Sequence, residues 1–137
     1  MIRPRRSLLF MPGSNARALE KARNLAADGL ILDLEDAVAP DAKALAREQI
    51  AQAVVARGFG KREVLIRINA LDTPWWIDDL TMAGKAKPDG ILVPKISSVA
   101  DLAAIARSST HHGVSSALMR ISTSRLPKPP AAMVCAI

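Results

Sequence analysis

The feature that most constrains this chain is the alternation of short apolar runs with longer helical patterns over its first hundred residues. Apolar runs begin near residues 7, 29, 63 and 90, and each is followed by a segment with helical spacing. Strands that alternate with helices in this way are typical of βα units and a parallel sheet. The runs are mostly continuous, as expected for strands covered on both faces. The sequence therefore predicts an α/β fold.

Turn and capping residues set the predicted boundaries of these elements. Asn15 is a good N-cap for the first helix, Gly29 can close it, and Pro74 suits the first turn of the third helix. The predicted strands are 7–13, 29–36, 63–70 and 90–96, and the predicted helices are 16–29, 41–58, 73–87 and 98–106.

Residues 107–137 break the pattern. They show no sustained helical or strand periodicity, and their LPKPPAA segment disfavours both helix and sheet. We therefore expect one folded unit at residues 1–106 and an irregular, disordered tail at residues 107–137. An alternative is that this tail is an out-of-frame or truncated reading of a gene that continues with further βα units.

The charge distribution argues against a nucleic-acid binder. The net charge is +6, but four of the 19 basic residues and none of the 13 acidic ones lie after Ala106, so the excess belongs mostly to the tail. A basic stripe with interleaved aromatic residues is absent.

No apolar run approaches the ~18 residues needed to span a membrane. The single Cys135 fits a reducing compartment, and we expect a cytoplasmic protein.

Polar residues follow three of the predicted strands at the point where each strand ends. They are Asp33, Glu35 and Asp36 after the second run, Arg67 near the end of the third, and Lys95 after the fourth. Sites in parallel α/β folds lie beyond the carboxyl ends of the strands, and a buried carboxylate needs a partner. Two interpretations of the carboxylates stay open: a ligand or water site beside one ion pair, or a purely structural network.

The two basic residues at this edge also allow alternatives. Arg67 can offer a planar fork to a substrate carboxylate or bridge to the acidic cluster on the neighbouring strand, and both can hold at once. Lys95 could be an ion-pair partner, an anion binder or a Schiff-base amine. The first two roles are favoured, because nothing nearby would lower its pKa.

Three further features are weaker signals. A Pro-Gly turn opens the first helix, and Arg17 and Lys21 share one face of it, which suits a phosphorylated ligand or an ordinary surface helix. The adjacent pair His111-His112 is interpreted as a flexible surface pair, since no further metal ligand follows at suitable spacing. Trp75 and Trp76 are expected to cover the barrel-facing side of the third helix.

Four segments, taken in order, resemble the citrate lyase β-subunit-like family of CoA-ester lyases, within the HpcH/HpaI aldolase superfamily. The segments are RSLLFMPGSNARALEKA, ILDLEDAVAPDAKALAR, VLIRINA and GILVPKISSVADL. The resemblance implies a TIM (β/α)8 barrel, homo-oligomeric in full-length relatives. It also implies Mg²⁺-dependent cleavage or formation of a C–C bond in malyl-, citramalyl- or citryl-type CoA thioesters. Some relatives are thioesterases or malate synthases.

The resemblance also implies roles for residues that match the family motifs. Arg67 would bind the substrate carboxylate, Glu35 and Asp36 would lie beside the metal and order its waters, and the CoA side would be lined by Phe10, Arg17 and Lys21.

The chain departs from the family at the metal ligands. The family's Glu and Asp ligands on the fifth and sixth strands have no counterpart here, because no Asp or Glu follows Asp101. We therefore expect a partial barrel of about four βα units that lacks the magnesium ligands and is inactive alone. The alternative is a non-catalytic CoA-binding remnant or interaction module.

Overall fold

The computed structural model describes residues 5–115 and 119–121, which form one parallel sheet flanked by helices. Five strands lie in chain order, and each pairs in parallel with the next. The strands are β1 (Leu8–Pro12), β2 (Gly29–Asp33), β3 (Glu63–Arg67), β4 (Gly90–Val93) and β5 (Met119–Ile121). The α-helices are α1 (Ala16–Ala22), α2 (Lys43–Val55), α3 (Trp76–Ala86) and α4 (Val99–His111), and a 3-10 turn at Pro40–Ala42 precedes α2.

The two faces of the sheet pack differently because side chains alternate along each strand. The helix-covered face holds the main apolar core, which includes Leu30, Leu32, Val64, Ile66, Ile91 and Val93 together with Ala46, Ile50, Leu80 and Ile105 from the helices. The other face carries a smaller cluster formed by Ile31, Leu65 and Leu92, with Leu8 packed against it. Sequential parallel strands with helices between them confirm the predicted α/β class.

The first helix ends earlier than its sequence predicts. It stops at Ala22 rather than near Gly29, and Asn15 caps its start by accepting a hydrogen bond from the amide of Ala18. The Arg62 side chain, from the segment before β3, donates to the carbonyl oxygens of Ala22, Arg23 and Leu25. Those carbonyls are therefore held by a tertiary contact instead of by further helical turns.

The predicted boundary at residue 106 is wrong. Helix α4 continues to His111, and β5 adds a fifth strand beside β4. Ser98 and Asp101 start α4 with a reciprocal capping box, and Ile105 and Ser109 are buried on its inner side. Most of the remaining tail lies outside the described residues. No helix within the described ranges is long and apolar enough to cross a membrane.

Candidate active site

A buried ion pair between Asp33 and Arg67 joins the carboxyl ends of β2 and β3. The two residues are register partners, and Arg67 Nε and Nη2 lie 2.7 and 2.6 Å from the two oxygens of Asp33. The same carboxylate accepts the backbone amides of Glu35 at 2.8 Å and Ala37 at 3.1 Å. The bridging role predicted for Arg67 is therefore present.

The pKa values of this pair follow from those contacts. Burial alone would raise the pKa of Asp33, yet the Arg67 guanidinium and the two amides hold it below its ordinary value. Burial alone would lower the pKa of Arg67, but Asp33 and the neighbouring carboxylates raise it above its ordinary value. Both groups are therefore ionised at neutral pH.

Glu35 lies between two cations just beyond the end of β2. Its residue is only 6% exposed, with Oε2 3.2 Å from Arg67 Nη1 and Oε1 2.9 Å from Lys95 Nζ. Both contacts are close enough for ion pairing, but neither oxygen accepts an aligned hydrogen bond from the described residues. The exposed Asp36 lies further out, 3.6 Å from Arg67 and 3.7 Å from Lys95. Glu35 is thus a buried carboxylate with two ion pairs and no aligned hydrogen bond from the described residues.

Lys95 is held as an ion-pair partner. It follows β4 in a left-handed backbone conformation, with φ of 56°, which is unusual for a residue with a side chain. Its contact with Glu35, and the negative charges of Glu35 and Asp36, raise its pKa above the ordinary lysine value. A protonated amine is a poor nucleophile, so this geometry favours the ion-pair role over a Schiff base.

Phe10 lies under the Arg67 guanidinium rather than apart from it. Arg67 Cζ is 4.9 Å from the Phe10 ring centroid, within the range of a cation–π contact. Phe10 is nevertheless 47% exposed, so its ring is open to solvent as well as to the cation. Arg67 is therefore fixed along one edge by Asp33 and over one face by Phe10.

A buried polar network that the sequence analysis missed lies behind Glu35. Lys43, at the start of α2, donates to the carbonyl oxygens of Leu34 at 2.6 Å and Glu35 at 2.8 Å, and to Asn69 Oδ1 at 2.6 Å. Asn69 in turn donates to Asp79 through its side chain at 2.6 Å and its backbone amide at 3.0 Å.

The network ends at Arg47 of α2, whose Nε lies 2.9 Å from Asp79 Oδ1. A signal for the network exists in the sequence. Lys43 shares the helical spacing of the buried residues Ala46 and Ile50, so a cation occupies the apolar stripe of α2.

The other predicted residues lie around this cluster or away from it. Arg17 and Lys21 are exposed on α1, where neither pairs with another described residue. Trp75 lies beside Lys43, with Nζ 5.2 Å from the ring centroid, whereas Trp76 packs against the helix-side core.

The interpretation of the histidines as a flexible pair in an irregular segment is wrong. His111 is the last residue of α4, and its ring meets that of His112 edge-on with centroids 4.9 Å apart. His112 Nδ1 lies 3.1 Å from Thr81 Oγ1 of α3, so this residue helps to dock the end of α4.

An open cleft of about 350 Å³ adjoins the cluster. It is bounded by the loop after β2, the start of α2, the loop after β3 and Lys95. Its lining residues include Glu35, Asp36, Lys43, Asn69, Thr73 and Trp75. The described residues contain no group of three or more His, Cys, Asp or Glu side chains that could hold a metal ion. Lys95 lines the cleft directly, and Arg67 adjoins it through its contacts with Glu35 and Asp36.

A parallel βα sheet whose carboxyl edge carries paired charges beside a cleft is typical of α/β enzymes of the barrel type. The chain belongs to the HpcH/HpaI aldolase/citrate lyase family, whose model matches residues 6–121. This match extends past residue 106 through β5, and it confirms the resemblance found in the sequence.

The relatives of this chain are enzymes. A (3S)-malyl-CoA thioesterase from Cereibacter sphaeroides (strain KD131 / KCTC 12085) is 50% identical over 103 residues, which are 75% of this chain and 36% of the relative. An L-malyl-CoA/β-methylmalyl-CoA lyase from the same species (strain ATCC 17029 / ATH 2.4.9) is 45% identical over 107 residues, 75% of this chain and 33% of the relative. The chain thus spans about a third of the length of these relatives.

A solved structure shows the same fold. The citrate lyase β subunit from Mycobacterium tuberculosis, complexed with oxaloacetate and magnesium, superimposes with a TM-score of 0.60 at 31% identity, covering 72% of this chain and 42% of that one.

Proposed function

We propose that this chain forms the acyl-binding part of a CoA-ester lyase or thioesterase site, in which Arg67 binds a carboxylate of a malyl-CoA-type thioester. The observation that carries the proposal is the fixed guanidinium of Arg67. Its Nε and Nη2 donate to Asp33, and Nη1 lies 3.2 Å from Glu35 without an aligned hydrogen bond. Because a guanidinium has five N–H donors, donors on Nη1 and Nη2 are still not used in aligned hydrogen bonds. A carboxylate binds well to such a planar, charged group.

The charges around Arg67 suit the reaction of a C–C lyase. Cleavage of a 3-hydroxyacyl-CoA releases an oxo acid and the enolate of acetyl-CoA, whose developing negative charge needs nearby donors or cations. Arg67 and Lys95 supply positive charge at the carboxyl edge. Thioester hydrolysis would hold the same acyl group, so the described residues support one binding role for either reaction. In this proposal Glu35 and Asp36 fix the two cations and order water in the cleft.

Magnesium accompanies oxaloacetate in the related citrate lyase β subunit, but the described residues do not fit it on their own. Asp33 is saturated by four donors, and Glu35 and Asp36 are neutralised by Arg67 and Lys95. A hard cation such as Mg²⁺ needs several free oxygen ligands. We therefore expect no turnover by this chain alone, and the catalytic roles of Arg67, Glu35 and Asp36 belong to the complete site.

The CoA portion is assigned to α1. Arg17 and Lys21 are spaced one helical turn apart and have no described partner, so both are available to CoA phosphates. We expect the complete protein to act in the cytoplasm as a homo-oligomer.

Calorimetric titration of the purified chain with malyl-CoA tests the proposal. Arg67→Lys keeps the charge but removes the planar fork, and should weaken binding at least tenfold, or about 1.4 kcal/mol. Arg6→Lys is the matched control. Arg6 lies just before β1 and pairs with Asp28, which lies just before β2, so this pair is away from the site. Equal affinity of wild type and Arg67→Lys would refute the role of Arg67.

A second titration, with free CoA, separates the two parts of the site. Arg17→Ala with Lys21→Ala should weaken CoA and malyl-CoA alike, whereas Arg67→Lys should affect only malyl-CoA. Binding of CoA with no preference for the malyl group would favour the alternative of a CoA-binding module. Acetyl-CoA or free CoA formed above background from malyl-CoA and Mg²⁺ would contradict the expectation that this chain is inactive alone.

A further inference from the structure

The backbone around Glu35 is held from behind by a single side chain. Lys43 donates to the carbonyl oxygens of both Leu34 and Glu35, which belong to the two peptide groups flanking the Glu35 α-carbon. The first of these peptide groups is also held at its other end, because the Glu35 amide donates to Asp33. The φ and ψ angles of Glu35 are therefore constrained from both sides, and with them the direction of its side chain.

Lys43 is itself fixed by groups from two other elements. Its third N–H meets Asn69 Oδ1, and the Asn69 amide is oriented by the fully buried Asp79. Asp79 is held in turn by Arg47. The ammonium position is thus set jointly by α2, the segment after β3, and α3.

Lys43 has no donor left for a ligand. An ammonium has three N–H donors, and all three meet protein acceptors within 2.8 Å. The residue is only 6% exposed, although it borders the cleft. A side chain in this state acts through the groups that it holds and not through contact with substrate.

We propose that Lys43, held by Asn69 and Asp79, is a positioning residue that directs the Glu35 carboxylate between Arg67 and Lys95. This proposal rests on the proposed function, because it assigns Lys43 to the acyl-binding site. Without Lys43, the two peptide groups are held only by the hydrogen bonds from the Glu35 amide to Asp33 and from the Val38 amide to the Glu35 carbonyl oxygen, so the Glu35 side chain is less well directed at the two cations. The affinity for the acyl group then falls, although no residue that contacts the ligand has changed.

The test compares Lys43→Met, which keeps length and loses all three donors, with Lys85→Met at an exposed position in the last turn of α3. Amide hydrogen exchange of Glu35 and Ala37 is measured by NMR relative to amides of β3, and malyl-CoA affinity is measured on the folded protein. In Lys43→Met we expect exchange at Glu35 and Ala37 to rise at least tenfold over β3, and affinity to fall at least tenfold. Lys85→Met should leave both within twofold.

Two results would overturn the proposal. Unchanged relative exchange at Glu35 and Ala37, whatever happens to the melting temperature, would mean that Lys43 only adds stability. Faster exchange with unchanged affinity would mean that the direction of Glu35 does not matter for binding. If Lys43→Met does not fold, Asn69→Ala gives a weaker form of the test, since it removes the acceptor that helps to fix the Lys43 ammonium, and exchange at Glu35 and Ala37 should then rise over β3 by less than tenfold.

Failure of the proposed function gives a different pattern. If the wild-type chain binds no malyl-CoA, the binding role is refuted, while the exchange rates of Glu35 and Ala37, which need no ligand, still decide whether Lys43 fixes Glu35.

Discussion

Replacing Asp33 with Asn should destabilise the chain strongly, because Asp33 is fully buried and its carboxylate accepts four hydrogen bonds. Asn has the same size but only one acceptor oxygen, so some of those donors lose their partner, and Arg67 loses its main counter-charge. Removing one member of a buried ion pair costs about 3–5 kcal/mol. Because one acceptor remains, we expect the free energy of unfolding to fall by about 3 kcal/mol.

Urea unfolding at pH 7 measures this loss. For a slope of about 2 kcal/mol per molar, a loss of about 3 kcal/mol lowers the urea midpoint by about 1.5 M. Asp28→Asn is the matched control. Asp28 also accepts hydrogen bonds from two backbone amides and from the guanidinium of Arg6, but the Asp28 side chain is 24% exposed whereas that of Asp33 is 1% exposed. Equal losses in Asp33→Asn and Asp28→Asn would refute the reasoning, since burial is what distinguishes the two sites.

The pH dependence gives the same prediction an independent check. The pKa of Asp33 is lower in the folded chain than its ordinary value, so its stabilising effect is complete above the unfolded pKa of about 4. The effect is lost as the pH falls through the lower, folded pKa. The difference in stability between wild type and Asp33→Asn should therefore shrink below about pH 4. A difference that stays constant down to pH 2 would show that ionisation of Asp33 is not its source.

Three other predictions concern separate contacts. Phe10→Leu should lower the free energy of unfolding by about 0.5–1 kcal/mol more than the loss of buried apolar area explains, because Leu cannot replace the ring under Arg67. The same substitution in an Arg67→Ala background should show no such excess. Ser98→Ala should destabilise α4 by about 1 kcal/mol through loss of its cap, seen as a lower melting temperature, and Ser98→Thr should restore most of it. Lys95 should form no covalent adduct when the chain is treated with oxaloacetate and borohydride at pH 7, because its pKa is raised. Mass spectrometry measures this, and an adduct at Lys95 would support the Schiff-base alternative.

Much of the architecture could be predicted from local patterns. Continuous apolar runs separated by helical spacing are sufficient to predict parallel strands in chain order. The same topology explains why the pairing of Arg67 with Asp33 was one of the two expected outcomes, since neighbouring parallel strands end at the same edge of the sheet.

What could not be predicted depends on partners that are distant in sequence. The early end of α1 is set by Arg62, 40 residues beyond Ala22. The burial of Lys43 depends on Asn69, 26 residues away. The continuation of α4 to His111 was missed because polar residues such as Ser109 look like loop, whereas Ser109 is buried on the inner side of that helix.

The contrast between Asp33 and Glu35 distinguishes what the fold needs from what the site needs. Asp33 is fully satisfied by hydrogen bonds, whereas Glu35 is buried with two ion pairs and no aligned hydrogen bond. Removing one member of a buried ion pair is costly when it leaves the other charge buried and unpaired, but here Lys95 is 54% exposed and Arg67 still has Asp33 as its counter-charge. Glu35→Gln should therefore change the free energy of unfolding by no more than about 1 kcal/mol while it weakens malyl-CoA binding, since one amide oxygen cannot hold both Arg67 and Lys95. A loss in urea unfolding as large as that of Asp33→Asn would mean that Glu35 belongs to the structural network, and the acyl-binding role of this edge would then rest on Arg67 alone.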